Sequence, residues 1–193
     1  MVGRLLVICG ASGVGKSTLT PKVASALQFE KVVATDTIRE TLRTQISIEE
    51  SPALHRSSFQ PGGKGTLIDW ADTISPLADS IFAVTERAKK RGSDLLVEGV
   101  HIAPSLELLD DWRARGGTAC GVVLAVEDSD EHRMMITRRQ QHNDRPARHY
   151  LRYFDRIREI NHRLVFLAKK NDWLVIDVTT EKDPIGLIES NFN

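Results

Sequence analysis

Nothing in this sequence is as restrictive as residues 10–18. Gly10-Ala11-Ser12-Gly13-Val14-Gly15-Lys16-Ser17-Thr18 follows the apolar run Leu5–Cys9, precedes a helical pattern, and fits the spacing G-x-x-x-x-G-K-[ST]. Its glycines allow backbone angles that turn successive N–H groups inward as an anion nest, and the helix beginning there adds the positive end of its dipole. Lys16 is placed to reach the β- and γ-phosphates of a nucleotide, and Ser17 to offer a hydroxyl to Mg²⁺. Such a loop needs a buried strand behind it and a helix in front, so it points to an α/β chain that binds ATP.

The rest of the chain alternates in the same way. Leu5–Cys9, Val32–Thr35, Leu95–Val97, Val122–Val126 and Leu174–Val178 are short, nearly continuous apolar runs, as expected of strands covered on both faces. Helical patterns lie between them, which predicts a five-stranded parallel sheet in a three-layer α/β/α sandwich. Ser75-Pro76 predicts a helix start, with Leu77, Ile81, Val84 and Ala88 as its buried stripe and Gly92 at its exit. Pro104 and Gly116 frame another helix, and Asp128 with Glu131 reads as a capping box. Leu151, Phe154, Ile157, Leu164 and Leu167 predict a long amphipathic helix ending near Asn171. Pro21, in the second turn of the first helix, predicts a kink. From Thr44 to Ile74 periodicity is weak, and Pro61–Gly65 marks an irregular, mobile surface segment.

Composition sets limits on partners. The 193 residues carry 26 Lys plus Arg against 26 Asp plus Glu, so no global field draws the chain to nucleic acid or an anionic membrane. Any anion binding must be local. Cys9 and Cys120 lie in apolar runs, where cysteine acts as a small hydrophobe, and neither belongs to a ligand-spaced cluster; this favours a reducing cytoplasm. The opening apolar run is too short for a signal-peptide core or a membrane span, so the start of the chain reads as structure. Nothing indicates an obligate protein partner.

In an open parallel sheet the ligand lies beyond the carboxyl ends of the strands, so the residues that finish strands are candidates for chemistry. Asp36 finishes the second and could accept a proton from an acceptor hydroxyl; it could equally cap the helix Thr37–Arg43. Arg39, one turn later, could hold an anionic group of the acceptor. Glu98 finishes the third strand, where a carboxylate can hold the water shell of Mg²⁺ or make a structural hydrogen bond to Gly99 or His101. His101 reads as a residue that shapes the site. Between Arg133 and Arg158 stand eight arginines and two aspartates, the one strong charge asymmetry. Arg138, Arg139, Arg145 and Arg148 bracket the polar stretch Gln140–Pro146, as in a lid of about residues 133–150 that closes over a nucleotide. Arg152, Arg156 and Arg158 fit a solvated helix face.

The P-loop together with Thr35-Asp36-Thr37-Ile38-Arg39-Glu40, Leu54-His55-Arg56-Ser57-Ser58-Phe59 and Glu98-Gly99-Val100-His101 resembles the 2-phosphoglycerate kinase family through most of the chain. Length and composition fit a single domain over residues 1–193, here a kinase domain, and the resemblance implies ATP, Mg²⁺ and an acceptor bearing a phosphate and a carboxylate. It also implies that residues 44–74 form the acceptor side, with His55, Arg56, Ser57 and Ser58 as anion contacts; a purely structural turn is the alternative. One departure is that archaeal members similar to this chain carry an additional N-terminal domain, whereas the first strand here begins almost at the first residue.

Two other functions fit parts of the pattern. Asp36-x-x-Arg39 is also similar to the motif of polynucleotide 5′-hydroxyl kinases and zeta-toxin-like sugar-nucleotide kinases, although a neutral chain suits long nucleic acids poorly. A nucleotide-dependent switch without an acceptor would need neither a carboxylate at the strand end nor an arginine-rich lid.

Overall fold

The computed structural model describes residues 3–138 and 147–192. Five strands, β1 (Arg4–Cys9), β2 (Val32–Ala34), β3 (Leu95–Gly99), β4 (Thr118–Ala125) and β5 (Leu174–Asp177), form one sheet in the order β2-β3-β1-β4-β5. Every pairing is parallel. The three inner strands are almost wholly buried and the edge strands β2 and β5 less so. This is why the strands read as apolar runs without alternation. From β1 the chain moves to one side to lay down β2 and β3, then crosses to the other for β4 and β5. The connections therefore part at the carboxyl end of β1, where such sheets open a crevice.

Helices α1 (Lys16–Ala26), α2 (Thr35–Arg43), α3 (Thr66–Ile74), α4 (Ala78–Lys90) and α5 (Leu106–Arg113) fill the first half. The second half holds α6 (Ser129–Arg138), α7 (Ala147–Leu151), α8 (Phe154–Lys170) and α9 (Pro184–Ser190). The helix α1 runs through Pro21. Both Ser17 and Pro21 are exposed, so the carbonyl deprived of its donor lies on the watered side. Asp128 caps α6 by accepting from the amides of Asp130 and Glu131, each at 2.8 Å. Burial pushes the thiol of Cys9 up to about 12 and that of Cys120 up to about 11, leaving both as inert core groups. Among the described residues no helix is long and apolar enough to cross a membrane.

The connection from Thr44 to Ile74 differs from its irregular appearance in sequence, because its last part is α3. The periodicity is hidden by polar side chains on the buried face: Asp69 and Thr73 are fully buried beside Trp70. Ser75-Pro76 is not the start of a separate helix but a 3₁₀ turn, Ser75–Leu77, joining α3 to α4. Asp69 is the clamp of this region. Its carboxylate accepts from the amide of Lys64 at 3.0 Å and from Arg156 Nη2 at 2.8 Å. Arg156 Nε also donates to the carbonyl of Phe59 at 2.7 Å, and Arg56 Nη2 to the carbonyl of Asp69 at 2.6 Å. The loop before α3 is thereby tied to both α3 and α8. Burial alone would raise the pKa of Asp69, but the amides of Gly62 and Lys64 and the Arg156 guanidinium together pull it down to about 2.

A carboxylate held below its unfolded value stabilises the fold above the unfolded pKa and stops doing so as pH falls through the folded one. Urea unfolding of the native chain and of Asp69→Asn should therefore show a stability gap that is constant above about pH 5 and shrinks steadily toward pH 2. A gap independent of pH would mean that the aspartate charge is not the clamp.

Candidate active site

The parallel register aligns three strand ends. Ile8 of β1, Glu98 of β3 and Ala34 of β2 are neighbours in one row across the sheet. The P-loop, the Gly99–His101 turn and the start of α2 therefore leave the sheet side by side. A side chain at Gly99 would collide with the Thr35 hydroxyl, so only glycine lets β3 and α2 approach this closely.

Within the P-loop, Gly13 and Gly15 hold φ angles of 88° and 85°, which favour glycine and build the nest. Lys16 Nζ donates to the carbonyls of Gly10 at 2.8 Å and Ala11 at 2.9 Å, so its ammonium lies within the loop. Ala11 and Val14 are buried, Ser12 half-buried, and Ser17 and Thr18 exposed at the start of α1. An exposed hydroxyl beside an inward-turned nest suits Mg²⁺ bound with a nucleotide's phosphates; Ser17 could hold the metal directly and the half-buried Glu98 could hold its waters.

Asp36 is the second residue of α2 and its side chain is 71% exposed, whereas the cap position belongs to Ala34. The carboxylate is thus presented beyond the sheet and does not serve as the helix cap. His101 is buried beneath it, with Nδ1 3.7 Å from Asp36 Oδ1 and 3.4 Å from the Thr35 hydroxyl. Burial pushes the imidazole pKa down to about 4; the Asp36 carboxylate works against this, while Arg39 and Lys16 reinforce it. At neutral pH His101 is uncharged and does not neutralise Asp36.

One turn along α2 a cavity of about 800 Å³ opens. Arg39 and Arg43 of α2 and Arg148 and Arg152 at α7 line it, together with His55, Ser57, Gln60 and His149. Its walls come from three stretches of chain that the fold brings together. Arg39 is itself buried and anchored, donating from Nε to the carbonyl of Leu54 at 2.9 Å. His55 donates from Nε2 to the carbonyl of Ile46 at 2.8 Å, and the amide of Ser57 donates to Gln60 Oε1 at 2.7 Å. His149 packs against Phe59 with ring centroids 5.5 Å apart.

The predicted residues do not all converge. His55 and Ser57 line the cavity, but Arg56 is directed onto the carbonyl of Asp69 and Ser58 is buried, and neither is in its wall. Arg156 and Arg158 are not a solvated face: Arg156 holds Asp69 and the Phe59 carbonyl, and Arg158 Nη1 holds the carbonyl of Val126 at 2.6 Å. Arg138 ends α6, exposed. Arg139 and Arg145 lie outside the described residues. Arg43, Gln60, His149 and Arg152 join the cavity without having been singled out as acceptor contacts. The available signal was the four-residue spacing of Arg39 with Arg43 and of Arg148 with Arg152, which puts each pair on one helix face.

Because Lys16 faces the loop and not the apolar core, Lys16→Ala should weaken Mg·ATP binding by about tenfold or more while the melting temperature changes little. Calorimetric titration beside a thermal melt checks this, and unchanged affinity would remove Lys16 from the phosphate site.

No protein-family model matches the chain. The 2-phosphoglycerate kinase of Methanopyrus kandleri is 34% identical over 186 residues, covering 90% of this chain and 55% of that protein. That of Methanothermobacter thermautotrophicus is 33% identical over 196 residues, covering 94% of this chain and 63% of that protein. The chain thus spans between half and two thirds of the length of these relatives. Among solved structures, a protein of Chloroflexus aurantiacus superposes over the full length of both chains with a TM-score of 0.61 at 14% identity. A sugar kinase from Janibacter superposes over 97% of this chain and 91% of that one, with a TM-score of 0.51 at 18% identity. The chain therefore has the α/β/α fold of P-loop kinases, and over about nine tenths of its length it is similar to proteins named 2-phosphoglycerate kinase.

Proposed function

We propose that this chain transfers the γ-phosphoryl group of Mg·ATP to the hydroxyl of a small anionic metabolite, and that the acceptor is 2-phosphoglycerate, giving 2,3-bisphosphoglycerate. The observation that carries the reading is the cavity beside Asp36: four guanidinium groups line it, and among the described residues its wall holds no carboxylate. A phosphate carries a charge of about −1.5 to −2 at neutral pH. With the added charge of a carboxylate, such an acceptor matches the cavity better than a neutral sugar. Planar guanidinium groups also pair with both phosphate and carboxylate in bidentate fashion. The names of the relatives narrow the acceptor to 2-phosphoglycerate.

In this mechanism the P-loop amides from Gly10 to Thr18 and Lys16 hold the nucleotide, and Ser17 and Glu98 hold Mg²⁺, which neutralises phosphate charge when bound. Asp36 orients the acceptor hydroxyl and takes its proton as the oxygen bonds to the γ-phosphorus and the bond to the β–γ bridging oxygen breaks, releasing ADP. Arg39, His55 and Ser57 clamp the acceptor, and His101 shapes the floor beneath Asp36. The lid reading assigns closure over the transferring group to Arg138, Arg139, Arg145 and Arg148, of which Arg138 and Arg148 are among the described residues. Positioning supplies most of the rate in phosphoryl transfer, so the clamp matters as much as the base.

Purified protein with Mg·ATP should be offered 2-phosphoglycerate, 3-phosphoglycerate, glycerate, gluconate, nucleosides and a 5′-hydroxyl oligonucleotide, with products identified by phosphorus NMR. Turnover of 2-phosphoglycerate is expected. Preference for a neutral acceptor would sink the anionic-acceptor argument, and preference for the oligonucleotide would establish a polynucleotide kinase. Asp36→Asn should keep the affinity for ATP and lower kcat by about 10²–10⁴-fold. Arg152→Ala should raise the KM for the acceptor about tenfold or more and leave that for ATP unchanged, because a charge-assisted contact is lost only on the acceptor side. An equal effect on both substrates would remove Arg152 from the acceptor clamp.

A further inference from the structure

His132, on α6, is fully buried directly behind the P-loop. Its Nε2 lies 2.9 Å from the carbonyl oxygen of Ser12. A carbonyl can only accept, so Nε2 carries the proton and Nδ1 keeps its lone pair. That lone pair faces Arg158 Nη1 at 3.3 Å. Arg158 is fixed in turn, because Nη1 and Nη2 donate to the carbonyls of Val126 and Glu127, each at 2.6 Å, just past the end of β4. A continuous line of donors and acceptors therefore runs from the end of β4 through Arg158 and His132 to the backbone of the P-loop.

This line has a geometric consequence. In a trans peptide the C=O of one residue and the N–H of the next point in opposite directions. With the Ser12 carbonyl turned back toward His132, the N–H of Gly13 is turned forward, to the open side of the loop. Gly13 has its φ of 88° at this peptide, and a side chain on it would strike Ile136, one turn along α6 from His132. Packing from Ile136 and the hydrogen bond from His132 thus fix the same peptide from behind. The ring of Phe154 packs edge-on against the imidazole at 5.6 Å between centroids. Burial holds the His132 pKa below its ordinary value; the Ser12 bond pulls the other way and the charges of Arg158 and Lys16 add to burial, so the neutral imidazole that this pattern needs persists at neutral pH.

We propose that His132 is a positioning residue of the phosphate site: by holding the Ser12 carbonyl outward it aims the Gly13 N–H at a nucleotide phosphate and couples the P-loop to the helix that leads into the arginine-rich stretch. The inference rests on the nucleotide-binding part of the proposed function and not on the identity of the acceptor. His132 acts through the Ser12 peptide, and nothing in the sequence beyond its helical spacing from Ile136 marks it out.

The test compares His132→Leu, which removes both hydrogen bonds from a closed site, with His132→Gln, whose amide N–H reaches the place of Nε2–H. Affinities for Mg·ATP and Mg·ADP are measured by calorimetry beside thermal melts, and the Gly13 amide resonance is followed on adding Mg·ADP. His132→Leu is expected to lose about tenfold or more in affinity for both nucleotides, as a buried carbonyl left without its donor predicts, and to lose the ADP-induced shift at Gly13. His132→Gln should recover most of both. If the leucine variant does not fold, Arg158→Gln, which leaves the imidazole but removes its orienting donor, should show a smaller loss of the same kind. A folded variant that melts earlier but binds both nucleotides as tightly as the native chain overturns the inference. So does a native chain that binds no nucleotide, which would overturn the kinase reading as well. Loss of affinity in His132→Leu with none of the tested acceptors phosphorylated would uphold the inference while the acceptor reading fell.

Discussion

The strand β1 is hydrogen-bonded along both edges, to β3 and to β4, and its residues Leu5 to Cys9 are fully buried. Such a strand has no exposed edge or face through which polar chemistry could be introduced. Polar groups can appear only where the strand ends, and there the chain must turn through glycines into α1. The position of the P-loop is therefore a consequence of how β1 is buried. The register does the rest, since aligning Ile8 with Glu98 and Glu98 with Ala34 makes the neighbouring strands deliver Glu98 and Asp36 to the same end. A shift of one residue in β3 would exchange its inward and outward side chains and withdraw Glu98 from that end.

Arginine performs two tasks that the sequence cannot separate. Arg156 and Arg158 use their forked donors inside the fold, on the carbonyls of Phe59, Val126 and Glu127 and on the carboxylate of Asp69. Arg39, Arg43, Arg148 and Arg152 line the cavity. A guanidinium that can satisfy several carbonyls at once keeps its charge while partly buried, which lysine does less well. The difference between the two sets is set by which acceptors the tertiary fold brings within reach, and that is information of long range in the chain.

Local signals carried much of the architecture. The P-loop, the five apolar strands and the Asp128 cap each depend on residues within a few positions of one another, and the fold contains all of them, although β4 begins at Thr118, four residues before its apolar run. What escaped depends on partners far away. The helix α3 was hidden because Asp69, which looks like a loop residue, is buried against Arg156 from 87 residues later. His132 was hidden because its partner Ser12 is 120 residues earlier. The cavity was half legible: Arg39, His55, Ser57 and Arg148 stand out from their motifs and charge pattern, but only folding sets them around one space with Gln60, His149 and Arg152.

Four like charges around one cavity oppose folding. Acidic neighbours offset part of the cost. Glu40 pairs with Arg43 at 2.9 Å and more loosely with Arg39 at 3.3 Å, from outside the lining. Elsewhere the chain neutralises its buried charge closely: Lys89 lies between Glu86 and Asp111, and Asp69 is matched to Arg156. The proposed acceptor, an anion, matches a wall to which α2 and the α7 segment each bring two arginines. An anion bound among these arginines would lower their mutual repulsion further, and a ligand that binds only the folded state stabilises it. In the proposed reaction the neighbouring Asp36, exposed beside an uncharged His101, is the group that would meet the acceptor hydroxyl, so the charge that recognises the acceptor and the carboxylate that acts on it sit one helical turn apart on α2.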